Sequence, residues 1–478
     1  MLWDGRRCRT QLGNVFNPGE LSTFTGLAGC RGTAVAAAAA QRRDHPSWLG
    51  HEGSDSMVDR ESWNWDIGKK LVCNLRSAQG RFEQVHEWQV SPDGERIAAP
   101  VVAAPDVFRV VVNDALWDGE FEKAWNLVFA PDGRLTALVR IDDEWTLAVD
   151  GEPWEQRWEF AWNPLFNRDG SVLAVQIKDS MEYTVAVNGQ PWEQRFHSSR
   201  GLAVSDDGEC VAALVQVEPL AEADIFGFME GTWSVAVNGI PWEKKFINVY
   251  SPTISRDGSK VAAEVRLDIC EYTIAENSAT WTNRFGCVWE PSYRPDGVGL
   301  VAPVRSNGSW TMAENGSAIW ESRFMQMWNH RLSPDGQHIA AVAAPGFGQW
   351  TVVVDDRPWS TTFDDLVLPP VFSPDGSRVA AGVRNKGRWS VAVDGKVWPD
   401  TYDMVWDPVF SDAGSCVLAK VERDGRLAIA VDGAVWSPWY EALWDPVMSP
   451  DGTKMLVRAV EDGAYVRQVV SFNATFHE

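Results

Sequence analysis

The stretch Phe372-Ser373-Pro374-Asp375-Gly376 runs into Arg378-Val379-Ala380-Ala381-Gly382-Val383-Arg384, then Trp389-Ser390-Val391-Ala392-Val393-Asp394-Gly395, and closes on Trp398 with Tyr402 four positions later. Proline presets φ at the second position of a tight turn, and glycine takes the position where other side chains are strained. Ser373 to Gly376 therefore predicts a hairpin turn. The alternating run after it has the period of a strand, and Asp394-Gly395 is a second hairpin signal.

This unit recurs. The turn glycine returns at Gly94, Gly133, Gly170, Gly208, Gly258, Gly297, Gly336, Gly376, Gly414 and Gly452, in steps of 39, 37, 38, 50, 39, 39, 40, 38 and 38. The second hairpin is Asn-Gly or Asp-Gly at Asp150, Asn188, Asn238, Asn315, Asp394 and Asp432, and degraded at Asn113, Asn277 and Asp355. Each unit thus predicts four short strands joined by three tight turns.

The composition is unusual in one respect, 27 Trp against 7 Tyr, and the surplus is periodic. A Trp and a second aromatic four residues on close the units at Trp117/Phe121, Trp154/Trp158, Trp192/Phe196, Trp242/Phe246, Trp281/Phe285, Trp320/Phe324, Trp359/Phe363, Trp398/Tyr402 and Trp436/Tyr440. In an extended segment the two would share one face. Another column precedes the first strand (Trp88, Trp125, Trp162, Trp289, Trp328, Trp406, Trp444), and a further one opens the third (Trp145, Tyr183, Trp233, Tyr272, Trp310, Trp350, Trp389, Tyr465).

Four antiparallel strands every 40 residues or so mark a β-propeller blade, and bulky rings fill the gap between stacked blades. The fold class is accordingly all-β, a propeller of about ten four-stranded blades. One ten-bladed ring or two five-bladed rings would satisfy the count, and the uninterrupted repeat favours the single ring. The last unit stops after its third strand, so Trp63-Asn64-Trp65-Asp66 and the run to Val72 are expected to complete it and fasten the ring. Residues 1–56, with 6 Lys/Arg and 5 Asp/Glu and no repeat, are expected to be a disordered extension, explicable by a start codon assigned upstream of Met57. The propeller domain is then 57–478.

Lys+Arg 43 against Asp+Glu 66 gives a net charge of −23, which argues against nucleic acid or anionic lipid as partner. Seven scattered cysteines without a C-x-x-C pair fit a reducing compartment. No stretch has the length of apolar residues a membrane span needs, so a cytoplasmic protein is expected.

Chemistry-bearing motifs are missing. There is no Gly-x-Ser-x-Gly elbow, Walker loop, H-E-x-x-H or C-x-x-C-H, and the expectation is no enzyme, no cofactor and no metal. His86 and His330, both near the start of a first strand, are the histidines that an axial metal site would use, but three convergent ligands would be needed. The Asp of each turn could ring a calcium ion, yet Asp is what the turn itself requires. The tryptophans could carry electrons, but their phase is that of packing positions in every unit. At the first-strand starts Glu87, Asp407 and Asp445 are mixed with Asn126, Asn163 and Asn329, too irregular for a defined axial ligand site.

One departure from the repeat points to a partner. The 50-residue step holds an insertion, Val217 to Glu230, between the second and third strands of its unit, with Ile225, Phe226, Phe228 and Met229 among Glu218, Glu222, Asp224 and Glu230. Apolar residues on such a loop mark a contact site, or else a hairpin folded back on its own blade. The four apolar residues are the predicted partner-binding set.

The repeat Phe372 to Gly382 resembles the PD-type WD40-like repeats of TolB-like propellers. The strings Trp233-Ser234-Val235-Ala236-Val237-Asn238-Gly239-Ile240-Pro241-Trp242-Glu243 and Tyr183 to Glu193, with the start Met57-Val58-Asp59-Arg60-Glu61-Ser62-Trp63, resemble the tryptophan-rich TmcD-like subunit of the transmembrane redox (Tmc) complex of sulfate-reducing bacteria. That resemblance implies a cofactor-free cytoplasmic scaffold with iron–sulfur and cytochrome subunits as partners and no span of its own. A free-standing propeller that binds a small ligand, or acts as a lyase, at the axial funnel is the alternative.

Overall fold

The computed structural model of the chain describes residues 60–222 and 224–472. The expectation for residues 1–56 lies outside the described residues.

Ten antiparallel sheets follow one another along the chain. Numbered in order, blades 1 to 9 span 84–121, 123–158, 160–196, 198–246, 248–285, 287–324, 326–363, 366–402 and 404–440; blade 10 spans 442–471 together with 68–74. Each reads inner, second, third and outer strand, as in Phe160–Phe166, Leu173–Asp179, Glu182–Val187 and Gln190–Pro191 of blade 3. In blade 10 the outer strand is Gly68–Asn74, which runs antiparallel to Ala464–Ser471 in the register Gly68↔Val469 to Asn74↔Ala464.

The apolar core is divided into slabs, each shared by consecutive blades. Blades 5 and 6 share one through Ala262, Ile274, Val288 and Leu300, and blades 10 and 1 share another through Val460, Tyr465, Cys73 and Ile97. Two five-bladed rings would instead pack blade 5 on blade 1 and blade 6 on blade 10. The chain is one ring of ten.

Charged side chains reach the neighbouring blade's first turn at several boundaries, as Arg134 does the Gly170 carbonyl (2.7 Å), and the closing boundary has the fullest set. Arg458 donates to the carbonyls of Ser91 (3.1 Å) and Pro92 (3.2 Å), Arg467 to that of Asp93 (2.8 Å), and the Tyr465 hydroxyl to that of Gly94 (3.0 Å). Side chains of blade 10 thus take every carbonyl of blade 1's first turn. Charged donors to backbone acceptors are directional, so they register the C-terminal strands of blade 10 on blade 1, to which the chain itself joins only the outer strand Gly68–Asn74.

Asn or Asp at the second hairpin does more than permit a positive φ. At nine of the ten blades its side-chain oxygen accepts from the amide that starts the second strand, as Asn113 from Ile97 (2.9 Å), Asn238 from Val211 (2.8 Å) and Asp394 from Val379 (2.8 Å). The two hairpins on one face of each blade are stitched together by it.

The closing aromatic pair departs from the extended segment read from sequence. Trp154 N donates to Leu147 O and Trp158 N to Trp145 O, so four outer-strand residues span two of the third strand. The intervening Thr146 hydroxyl fills the gap by donating to Gln156 O (2.8 Å). Ser or Thr does the same in blades 3, 4, 5, 7 and 8, at Thr184, Ser234, Thr273, Thr351 and Ser390. The first Trp of the pair then stacks under the second-hairpin glycine of the following blade. A Cβ on Gly151 would sit 3.2 Å from Trp117, and one on Gly239 3.1 Å from Trp192. Glycine there serves φ and close approach together.

A second correction concerns the column before the first strand. His86 N donates to Pro100 O as Trp289 N does to Pro303 O and Trp444 N to Arg458 O. His86 therefore occupies the column's place in blade 1, and Trp88 lies two residues beyond it, against the blade 10 boundary.

Candidate interaction face and axial groups

The insertion in blade 4 connects Val211–Gln216 to Trp233–Val237. Alternation of the chain direction puts the connection between second and third strands at the end of the blade opposite its first turn. Inside the insertion a short helix forms, Ile225–Glu230, where the sequence suggests only a loop. Asp224 caps it by accepting from Gly227 N (2.9 Å), and Gly231 at φ 88° ends it. A Cβ on Gly231 would lie 2.5 Å from the Phe246 carbonyl carbon, so the exit is pressed on the crossing into blade 5.

The four predicted contact residues divide by exposure. Phe226 is 85% and Ile225 70% exposed, and Met229 is also exposed, whereas Phe228 is half-buried beneath the Arg266 guanidinium at 5.8 Å. Phe228 anchors the helix to blade 5 and Ile225, Phe226 and Met229 stand free of it. Glu218 pairs with Lys245 at 2.7 Å across the base.

A second group of residues, which the sequence reading missed, lies toward the axis. The middle of the second strand, apolar at Leu138, Leu214 and Val342, is polar at Gln176, Glu264, Lys420 and Arg458. Each is buried. Gln176 donates to Ser199 (2.8 Å) and accepts from Asn163 (3.2 Å), and Lys420 pairs with Asp445 at 2.7 Å. Burial raises the Glu264 carboxyl to about 8, with Glu290 adding to the rise and Arg200 opposing it. A charged residue interrupting an otherwise apolar second strand was the available signal.

Glu87, Asp407 and Asp445 share a place in the fold with Glu290. In blades 2, 3 and 7 that position holds Asn126, Asn163 and Asn329, each at positive φ (50°, 56° and 51°) in a bulge of the inner strand. Asparagine is there because it tolerates the left-handed conformation that the bulge requires.

His86 and His330 do not meet, since they belong to blades 1 and 7. His330 is buried with neither ring nitrogen hydrogen-bonded among the described residues, and burial lowers it to about 3. Among the described residues no three His, Cys, Asp or Glu side chains converge as a metal site. The turn aspartates are occupied by their own turns: Asp375 accepts from the Ser373 hydroxyl (2.6 Å) and Ser377 N (3.1 Å), which holds its carboxyl at about 2. Ring contacts mostly pair aromatics within a blade, as Trp289–Trp310 at 5.4 Å and Trp328–Trp350 at 4.7 Å. The link from blade 2 to blade 3 runs through Phe160, 5.7 Å from Trp145.

No helix among the described residues is long and apolar enough to cross a membrane. No family model matches the chain, and no curated protein matches it by sequence. Among solved structures it is similar to a crystal structure of a eukaryotic initiation factor, at 13% identity and a TM-score of 0.40, over 71% of this chain and 97% of that one. It is also similar to TolB from Acinetobacter baumannii, at 13% identity and a TM-score of 0.25, over 63% and 76%. Likeness at this level concerns the fold alone, which the ten sheets establish independently.

Proposed function

We propose that the chain is a non-catalytic scaffold, a cytoplasmic subunit of a membrane-associated electron-transfer complex, held at the membrane by partners that carry iron–sulfur and haem groups. The observation that supports a scaffold is the insertion helix, a departure from the repeat that presents Ile225 and Phe226 to solvent. The tie to a redox complex rests on the resemblance of the Trp-rich repeat strings. Purification of the tagged chain from membranes under mild conditions tests both parts. Co-purification of haem and iron–sulfur subunits, with a visible spectrum that leaves when they are stripped, is the expected result. A stoichiometric chromophore retained by the isolated chain contradicts the reading.

The buried Glu264, with the half-buried Arg200 and Glu290 beside it, favours a second reading, a free-standing ring that binds a small charged ligand there. A ligand that raises the melting temperature of the wild type but not of Glu264→Gln supports this alternative over the scaffold.

A further inference from the structure

The insertion helix is not alone. Connections between second and third strands all lie on one face of the ring, and in five consecutive blades they carry exposed apolar tips with a single exception. Blade 3 presents Met181 (78% exposed), blade 4 the insertion, blade 5 Ile269, and blade 7 Phe347 (93% exposed) with Met325 at the adjoining crossing. Blade 6 has the small turn Asn307-Gly308. The other half of the ring is different: the corresponding tips are Pro105-Asp106 in blade 1, Asp142-Asp143 in blade 2, Lys386-Gly387-Arg388 in blade 8, Asp424-Gly425-Arg426 in blade 9 and Asp462-Gly463 in blade 10.

Blades 4 and 5 make a joined surface. The Arg266 guanidinium covers Phe228 and also donates to the carbonyls of Asp268 (3.1 Å) and Ile269 (2.7 Å), so one side chain braces the helix and the neighbouring tip. The charges left unpaired between the apolar tips are mostly acidic. Lys178 and Lys245 are committed to Glu159 (3.7 Å) and Glu218 (2.7 Å), and Arg305 and Arg323 to backbone carbonyls, while Arg195 and Arg284, exposed in blades 3 and 5, make no hydrogen bond or ion pair among the described residues. The carboxylates of Glu182, Glu222, Glu230 and Glu271 make no hydrogen bond or ion pair among the described residues.

We propose that the face of blades 3 to 7 is a docking arc for a protein segment whose apolar side chains are flanked by Lys or Arg, the arrangement of a basic amphipathic helix. Ile225, Phe226, Met229, Ile269 and Phe347 supply the apolar contacts, and the four uncommitted carboxylates meet the flanking cations. Unpaired acids among the tips oppose an anionic bilayer, and they oppose a second copy meeting the same patch across a two-fold axis, which would set acid against acid. The arc deepens the scaffold reading and rests on it only for the premise that the ring binds protein.

Photo-crosslinking in the native host tests the arc. Phe226→benzoylphenylalanine and Phe347→benzoylphenylalanine are each installed in the full chain, with Val298→benzoylphenylalanine on the opposite face as control, and adducts are identified by mass spectrometry. Adducts from both positions in one Lys/Arg-flanked apolar segment, absent from the control, support the proposal. So does a yield lowered about tenfold by combined Glu222→Lys and Glu230→Lys substitution. Adducts with lipid, with another copy of the chain or with an acidic segment overturn it, as does an equal yield from position 298 or no adduct from 226 and 347. If the segment belongs to a protein outside any redox complex, the membership proposed above fails while the arc stands.

Discussion

Asp394 offers the most direct test of how each blade is stitched. Its Oδ1 accepts from the amide of Val379, a residue almost wholly buried, at 2.8 Å, and its own φ is 50°. Asp394→Ala strands the Val379 amide, at about 1–3 kcal/mol for a buried unsatisfied donor. It also places alanine in a left-handed conformation, which adds about 1 kcal/mol. Asp394→Asn keeps both the acceptor and the tolerance of positive φ, and gives up only a partly exposed 3.1 Å pair with Arg378, which contributes little. The expected loss is therefore about 2–4 kcal/mol for Ala and under about 1 kcal/mol for Asn. Unfolding entropy of about 2.1 cal/mol/K per residue, over roughly 400 residues, converts this to a melting temperature lower by about 2–5 °C for Ala. Differential scanning calorimetry of the two variants at one pH decides the matter. Melting of Asp394→Ala within about 1 °C of Asp394→Asn would refute the claim that the side chain satisfies that amide.

Trp398, nearly buried at the boundary of blades 8 and 9, should cost about 3–5 kcal/mol as Trp398→Ala, while the exposed Trp125→Ala should cost far less; chemical denaturation of both compares them. Removing residues 1–74 deletes the outer strand of blade 10 and the Leu75 amide bond to Gly463 O approaches an open end, so Ala464–Ser471 should become the first site of proteolytic cleavage. Glu264 lies above its ordinary value in the folded chain, so the fold holds its proton where the unfolded chain has released it. Stability from this group is present at low pH and declines as pH rises from about 4.5 toward 8, and Glu264→Gln should flatten that limb in melts from pH 5 to 9. His330 works in the opposite sense: lowered to about 3, it favours the fold above about 6.5 and costs stability as pH falls from there. His330→Leu should remove the acid-side loss, because the equivalent positions in blades 2 and 4 already hold Leu127 and Leu202; equal acid sensitivity in the variant would speak against it.

Local signals settled the blade. Pro374 and Gly376 dictate a turn, Asp394 and Gly395 another, and the alternation between them dictates strands, all within forty residues of chain. Ten copies then imply about ten blades closed into rings, because a sheet with apolar side chains on both faces must be covered on both. The insertion was legible for the same reason, as a break in a period. Its helix was not, because Asp224, Gly227 and Gly231 form a cap, a first turn and an exit only once the crossing at Phe246 presses on them.

What the tertiary structure alone decided is which residues of distant units meet. Either ring count satisfies the period, and only the contacts of Tyr465, Arg458 and Arg467 with the turn at Ser91–Gly94, more than 360 residues away in the chain, choose the single ring. The axial Glu264 and Glu290, and the apolar tips from Met181 to Phe347, likewise lie far apart in sequence. A repeat specifies its unit by interactions between near neighbours, whereas closure and the grouping of odd residues depend on accumulated rotation from blade to blade, which no single unit encodes.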